Sequence, residues 1–208
     1  MEWPNIRKFY INVPALCAAV LLLLLAACGT PLVQYYVLDA VPAKSLHTHA
    51  AAVTSVAIRQ VEVPRYLDRP RIVSRGDDKQ LHIAEYHQWG GRLRENIAGI
   101  LGDNLTERLG SMTVSRAPFI GATDAQVAVL VDVRQFERLS DGYVHLNVHW
   151  QLQRSGRGVF SQYTRLQSSQ PVNDKDYAAM AAAMSRLLGM LSDRIATAIV
   201  DLPPAEHP

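Results

Sequence analysis

Cysteine is scarce: the 208 residues hold two, Cys17 and Cys28. Both belong to the start of the chain, so the remainder has no thiol pair for a disulfide and no cysteine cluster for a structural zinc site. The fold must hold by packing. An excess of one charge is missing too. Setting aside Glu2, Arg7 and Lys8, the 21 basic and 19 acidic side chains fall to 19 against 18, without the clustered basic residues of a nucleic-acid surface. Catalytic signatures are absent: there is no G-x-S-x-G elbow, no H-E-x-x-H pair and no Walker-type glycine loop. The expectation is therefore a non-enzyme without metal, cofactor or nucleic-acid partner. Repeats, low-complexity blocks and breaks in composition are also lacking, which argues for one domain.

What is present begins with a leader. Arg7 and Lys8 precede an apolar run from Ile11 to Ala27, interrupted by Asn12 and Pro14 and densest at Val20–Leu25. A membrane-spanning helix wants about 20 apolar residues; this run is shorter, with the basic start and small-residue end of a signal peptide. It closes on Leu25-Ala26-Ala27-Cys28, which resembles the bacterial lipobox. The resemblance implies that the Cys28 thiol is acylated (palmitate being a typical chain) and that cleavage occurs just before it. Each buried CH₂ contributes about 0.8 kcal/mol, and stable anchoring takes more than one chain; lipoproteins of this class carry several. Gly29 and Thr30 follow where an aspartate would signal inner-membrane retention, so the class resemblance implies anchoring on the periplasmic face of the outer membrane. The organisation expected is residues 1–27 as signal, 28–34 as lipidated cysteine and spacer, 35–202 as a periplasmic domain and 203–208 as a Pro-rich tail.

Along the mature chain, Gln34–Asp39 reads as a first strand and 40–52 as a loop. Val53–Val63 alternates, with Val53, Ser55, Ala57, Arg59, Val61 and Val63 on one side. Pro64 ends that strand, and Pro64–Pro70 is a stiff, charged connection. Arg71–Arg75 and Gln80–Ala84 form a hairpin around Gly76-Asp77-Asp78. A helix over Trp89–Leu109 places Leu93, Ile97, Ile100, Leu101, Leu105 and Leu109 at three- and four-residue steps, with Gly110 as its stop. Three strands follow: Gln126–Leu139, Tyr143–Gln153 and Val159–Ser168, the first two joined by Asp141-Gly142. Asn173 or Asp174 caps a last helix over Lys175–Val200, with Met180, Met184, Leu187, Leu188, Leu191, Ile195 and Ile199 as its apolar stripe. The fold expected is an α/β single-domain two-layer sandwich, a mixed or antiparallel sheet with both main helices packed on one face.

The run Val63-Pro64-Arg65-Tyr66-Leu67-Asp68-Arg69-Pro70, with the short strand after it, resembles the PqiC-like lipoproteins, also called ABC-type transport auxiliary lipoprotein components. Their pattern also has an aromatic strand just after the cysteine, matched by Tyr35-Tyr36-Val37-Leu38, and a glutamate shortly before a helix-opening tryptophan, matched by Glu85 and Trp89 with Leu93 beyond. Gly90-Gly91 departs from it, since each glycine inside a helix costs about 1 kcal/mol relative to alanine; the helix could start only at Arg92. The resemblance implies an accessory or docking lipoprotein of a lipid-transport system built on an MCE-domain periplasmic protein, and leaves room for homo-oligomers. Two other readings stay open: an independent lipid-binding lipoprotein, which needs an apolar cavity of about 300 Å³ or more, and a structural envelope-integrity lipoprotein.

Individual residues carry competing readings. Tyr66, Leu67, Asp68 and Arg69 between Pro64 and Pro70 either tie the loop to the sheet or preorganise a partner contact, rigidity reducing the entropy lost on binding. Trp89 reads as a core anchor before a ligand platform, and Met180 and Met184 as core before an apolar ligand site. His145 and His149 share a strand face but stand roughly 13 Å apart at about 3.3 Å per residue, too far to share a metal. His47 and His49 are only two ligands.

Overall fold

Val127, Val129, Val131 and Val133 put one apolar face on a strand that becomes the spine of the sheet. The computed structural model describes residues 32–43, 53–118, 123–155 and 157–204. The chain divides into units of residues 1–32 and 33–208, and the second carries the fold. Its elements are β1 (Gln34–Tyr36), β2 (Ser55–Glu62), β3 (Arg71–Arg75), β4 (Leu81–Trp89), α1 (Leu93–Leu109), β5 (Thr113–Arg116), β6 (Val127–Arg138), β7 (Val144–Arg154), β8 (Arg157–Gln167) and α2 (Tyr177–Val200). The lipobox and the His47–His49 pair lie outside the described residues.

The eight strands form one mixed sheet that forks. On one edge β6 pairs antiparallel with β7 along its whole length, and β7 pairs antiparallel with β8. On the other edge β6 first pairs parallel with β2, over Val127–Asp132, and then with β3 at Arg138. Beyond β2 lies β5; beyond β3 lie β4 and then β1. The connection 63–70 runs between β2 and β3 and so sits at the fork. Asp141-Gly142 turns β6 into β7 as expected: Gly142 has φ 86° and donates to the Leu139 carbonyl.

Two bulges redirect faces that simple alternation assigns wrongly. In β2 the register passes from Ile58↔Val129 to Gln60↔Leu130, leaving Arg59 unmatched. The extra residue flips the strand, so the core face is Val56, Ile58 and Val61 and not the uninterrupted series from Val53 to Val63. In β6 the register passes from Val133↔Val148 to Gln135↔Asn147. Arg134 is the extra residue, Phe136 takes the core side, and Glu137 turns to the other.

Both helices cover the valine face. α1 packs on β2 and β5, and α2 on β6, β7 and β8. Leu93, Ile97, Leu101, Leu105 and Leu109 of α1 are buried, as are all seven stripe residues of α2, Met180 and Met184 included. Ile100, expected on the stripe, is only partly buried. Each fully buried aliphatic side chain contributes about 1.5–3 kcal/mol. On β7, Val144, Leu146, Val148, Trp150 and Leu152 face this core, while His145, Asn147, His149 and Gln151 lie on the wetter face.

Other boundaries differ from the sequence reading. β4 runs on to Trp89, so Trp89 closes a strand instead of opening a helix. Its amide donates to the Pro70 carbonyl and that of Gly90 to the Tyr36 carbonyl, both at 2.7 Å, which holds the chain extended until α1 begins at Leu93. β5 is a four-residue strand too short for its pairing with β2 to show as periodicity. The cap of α2 is Asp176, whose carboxylate accepts from Ala179 N at 2.9 Å; Asn173 accepts from Lys175 N in the preceding turn. β1 stops at Tyr36, and the chain then straps across the helices. Asp39 N donates to Ser185 Oγ (3.0 Å) and Val41 N to Asn104 Oδ1 (2.8 Å). Under the strap the buried Arg108 bridges Asp193 (2.6 Å) and the carbonyls of Val41, Asn104 and Gly189. A Cβ on Gly189 would stand 3.1 Å from Val41 Cβ, so a glycine there lets the strap lie close.

Candidate docking site at the fork of the sheet

The loop 64–70 starts with one tight turn, in which Leu67 N and Asp68 N both donate to the Pro64 carbonyl (2.9 and 3.1 Å). Four side chains then leave in different directions. Leu67 is 3% exposed and anchors the loop in the core. Tyr66 points its hydroxyl at Glu137, donating at 3.1–3.2 Å. Glu137 is fully buried and also accepts from Arg75 Nη2 (2.7 Å), Gln135 Nε2 (3.3 Å) and Phe136 N (2.9 Å). Arg75 lies over the Tyr66 ring, 5.6 Å from its centroid, and donates to its hydroxyl at 3.2 Å. Burial, and then the neighbouring Glu137 carboxylate, push the Tyr66 phenol up to about 12, so it remains a neutral donor throughout the physiological range. This cluster stitches the loop to β3 and β6 where the sheet forks.

Asp68 takes Arg94 of α1 at 2.7 Å, so it ties the loop to the helix rather than to the sheet. Arg69 makes no tie: its Nε is buried without a hydrogen-bond partner. Asp68, Arg69 and Pro70, together with Trp89, Gly91 and Arg92, line a cleft of about 550 Å³. Thus the structure brings most of the singled-out motif together. Pro64 sets the turn, Tyr66 and Leu67 fix the loop, and Asp68, Arg69, Pro70 and Trp89 shape the cleft. Trp89 is 4% exposed, a core anchor with one edge in the cleft wall. Glu85 is exposed on β4 beside the Tyr86 hydroxyl and does not line the cleft.

Glu137, Arg75 and Arg94 are partners that sequence reasoning missed. The available signal was a lone glutamate near the end of a valine-rich strand, on the side that unbroken alternation would bury. The aromatic strand β1 also has a role. The Tyr36 hydroxyl donates to Gln34 Oε1 at 2.7 Å and lies 2.9 Å from His87 Nδ1. His87 in turn stacks on Tyr177 at 4.0 Å, joining β1, β4 and α2. Burial raises the phenols of Tyr36 and Tyr177 above their usual value.

His145 and His149 on β7 have separate neighbours: His145 pairs with Asp141 at 2.8 Å, and His149 bonds Ser161 and stacks on Tyr163. Among the described residues, no group of three or more His, Cys, Asp or Glu could hold a metal, and no helix is long and apolar enough to cross a membrane. A second open cleft, of about 600 Å³, lies where β8 meets the end of α2, lined by Val159, Phe160 and Leu202 but also by Asp193, Arg194 and Asp201.

Comparison with known proteins places the sequence and the fold. The chain is 26% identical over 199 residues to the intermembrane transport lipoprotein PqiC of Escherichia coli K12, covering 95% of this chain and the whole of that one, and equally to its Shigella flexneri counterpart. The fold matches the crystal structure of an uncharacterized protein (TM-score 0.66, 22% identity, 81% of this chain and 99% of that one). It also matches protein XCC0632 from Xanthomonas campestris (TM-score 0.66, 19% identity, 80% and 95%). The family model for the ABC-type transport auxiliary lipoprotein component matches residues 36–196, which takes in both the fork cluster and the cleft: the chain belongs to the family of ABC-type transport auxiliary lipoprotein components.

Proposed function

We propose that this protein is the outer-membrane-anchored docking component of an MCE-type intermembrane lipid transport system. It would be held at the periplasmic face by acyl chains on Cys28 after cleavage behind Ala27. The observation that carries the reading is the match over residues 36–196, together with full-length similarity to a protein named for intermembrane transport. The geometry suits docking. The loop 64–70 is fastened through the core, the sheet and α1, so a partner contact on it loses little entropy. Its cleft opens next to groups that have no other use in the fold.

The independent-carrier reading has less support. The space between helices and sheet is filled by side chains such as Trp150, Phe136, Leu101 and Leu146, each under 2% exposed. The cleft at β8 and α2 is bordered by Asp193, Arg194 and Asp201, poor company for an acyl chain.

Two measurements test the proposal. Fractionation of cells carrying Cys28→Ala should move the protein from the outer membrane to the soluble periplasm with its thermal unfolding unchanged; retention in the outer membrane contradicts the lipid anchor. Purification of the native lipoprotein in mild detergent should bring down an MCE-domain protein, whereas recovery with bound lipid and no such protein favours the carrier.

A further inference from the structure

The cleft at 68–70 and 89–92 is built to receive negative charge. Its lining holds two arginines, Arg69 and Arg92, and one carboxylate, Asp68, and that carboxylate is already neutralised by Arg94 at 2.7 Å. Among the described residues Arg69 and Arg92 have no ion-pair partner, and Arg69 Nε is buried without an acceptor. Asn96 Nδ2 is a second such donor, 3.9 Å from where a Cβ on Gly91 would stand, and thus beside the cleft wall. Buried donors are almost always satisfied, so the orphaned Arg69 Nε on the cleft lining asks for an acceptor from outside.

The end of α1 adds to this. The 17-residue helix begins at Leu93, and its N-cap, Arg92, supplies no side-chain acceptor to the first-turn amides. Those amides and the helix dipole favour an anion there. Exposed Glu95 is the only acidic residue of that first turn.

We propose that this cleft is the docking site for an acidic protein segment, in which one or more Glu or Asp carboxylates bridge Arg69 and Arg92 while the chain lies along Pro70 and Trp89. Guanidinium takes carboxylate through two parallel hydrogen bonds, which supplies orientation as well as attraction. The cleft, at about 550 Å³, holds a short stretch of peptide rather than a single small ion. The occupant deepens the docking role proposed above and rests on it for the partner's identity, though not for the chemistry of the cleft.

The test uses the full-length lipoprotein in zwitterionic detergent, titrated with a blocked hexaglutamate peptide, a blocked hexalysine peptide, inorganic phosphate and phosphatidylglycerol vesicles. Amide shifts of Gly90, Gly91 and Arg92 are the readout. The hexaglutamate peptide should bind, more weakly as salt rises, and Arg69→Gln and Arg92→Gln should each weaken it by about tenfold or more. Neither variant should lower the unfolding temperature, since neither side chain has a partner in the fold. Binding of phosphate or vesicles in preference to the peptide overturns the proposal, as does binding by both arginine variants as tight as that of the wild type, or no binding at all. Loss of stability in Arg69→Gln at unchanged binding would return Arg69 to a structural role. An MCE-domain partner that co-purifies as well with both variants refutes this cleft while leaving the transport reading intact.

Discussion

Replacing Glu137 by leucine should destabilise the protein by about 3 kcal/mol, the scale for breaking a buried ion pair. The figure can be built from the structure. The change leaves the buried amide of Phe136 without its 2.9 Å acceptor, which alone costs about 1–3 kcal/mol. It also removes the acceptor of the Tyr66 hydroxyl, about 1 kcal/mol. Arg75 loses its 2.7 Å partner, but its side chain is 35% exposed, so water recovers much of that loss. Leucine regains some apolar burial in return. For a domain of this size, each kcal/mol shifts the midpoint by about 2–4 °C, which puts the expected fall near 10 °C by thermal circular dichroism. Glu137→Gln keeps an acceptor oxygen and should lose about 1 kcal/mol. A Glu137→Leu protein that melts within 2 °C of the wild type would refute the idea that this cluster holds the fork. Equal losses for leucine and glutamine would show that charge, and not hydrogen bonding, is what counts.

The Tyr66 phenol, raised to about 12 in the fold against about 10 in the unfolded chain, favours the native state in its neutral form. Its contribution is fully present below pH 10 and lost as pH rises from 10 to 12; Tyr66→Phe should flatten that part of the wild-type stability curve, and identical slopes would count against it. Asp176→Ala should cost about 1 kcal/mol in urea unfolding, and more than Asn173→Ala or Asp174→Ala. Gly189→Ile should cost about 1–3 kcal/mol by pushing against Val41, and should raise hydrogen exchange at the Asp39 and Val41 amides, which Gly189→Ala does to a smaller degree.

Periodicity made the helices and long strands legible because each has one face in the core. The α2 stripe and the inward residues of β7 are buried as the sequence implies. It failed where a single residue breaks the period. Nothing in the local sequence of Arg59 or Arg134 announces a bulge, yet each moves every later side chain to the opposite face, which is how Glu137 comes to lie under Tyr66. It also failed where a long-range hydrogen bond decides the backbone. Trp89 sits in a context compatible with a helix start, and the carbonyls of Pro70 and Tyr36 keep the chain extended there instead. For the site, the motif from Pro64 to Pro70 and Trp89 was visible, but its partners Arg75, Arg94 and Glu137 were not, since the fold alone brings them together. The separation of Asp68, which is paired, from Arg69, which is not, is set by the position of Arg94 on α1.

The central claim is that this lipoprotein meets its transport partner through the cleft at the fork. The direct measurement is photo-crosslinking in cells, with a crosslinking amino acid placed at Arg92 on the cleft rim and, as a control, at the exposed Glu107 of α1, followed by mass spectrometry of the adducts. The account predicts an MCE-domain protein crosslinked from position 92 and not from 107, through an acidic segment of that protein. Adducts of such a protein from 107 alone would move the docking surface away from the cleft, and the absence of any MCE-domain adduct from either position would contradict the claim itself.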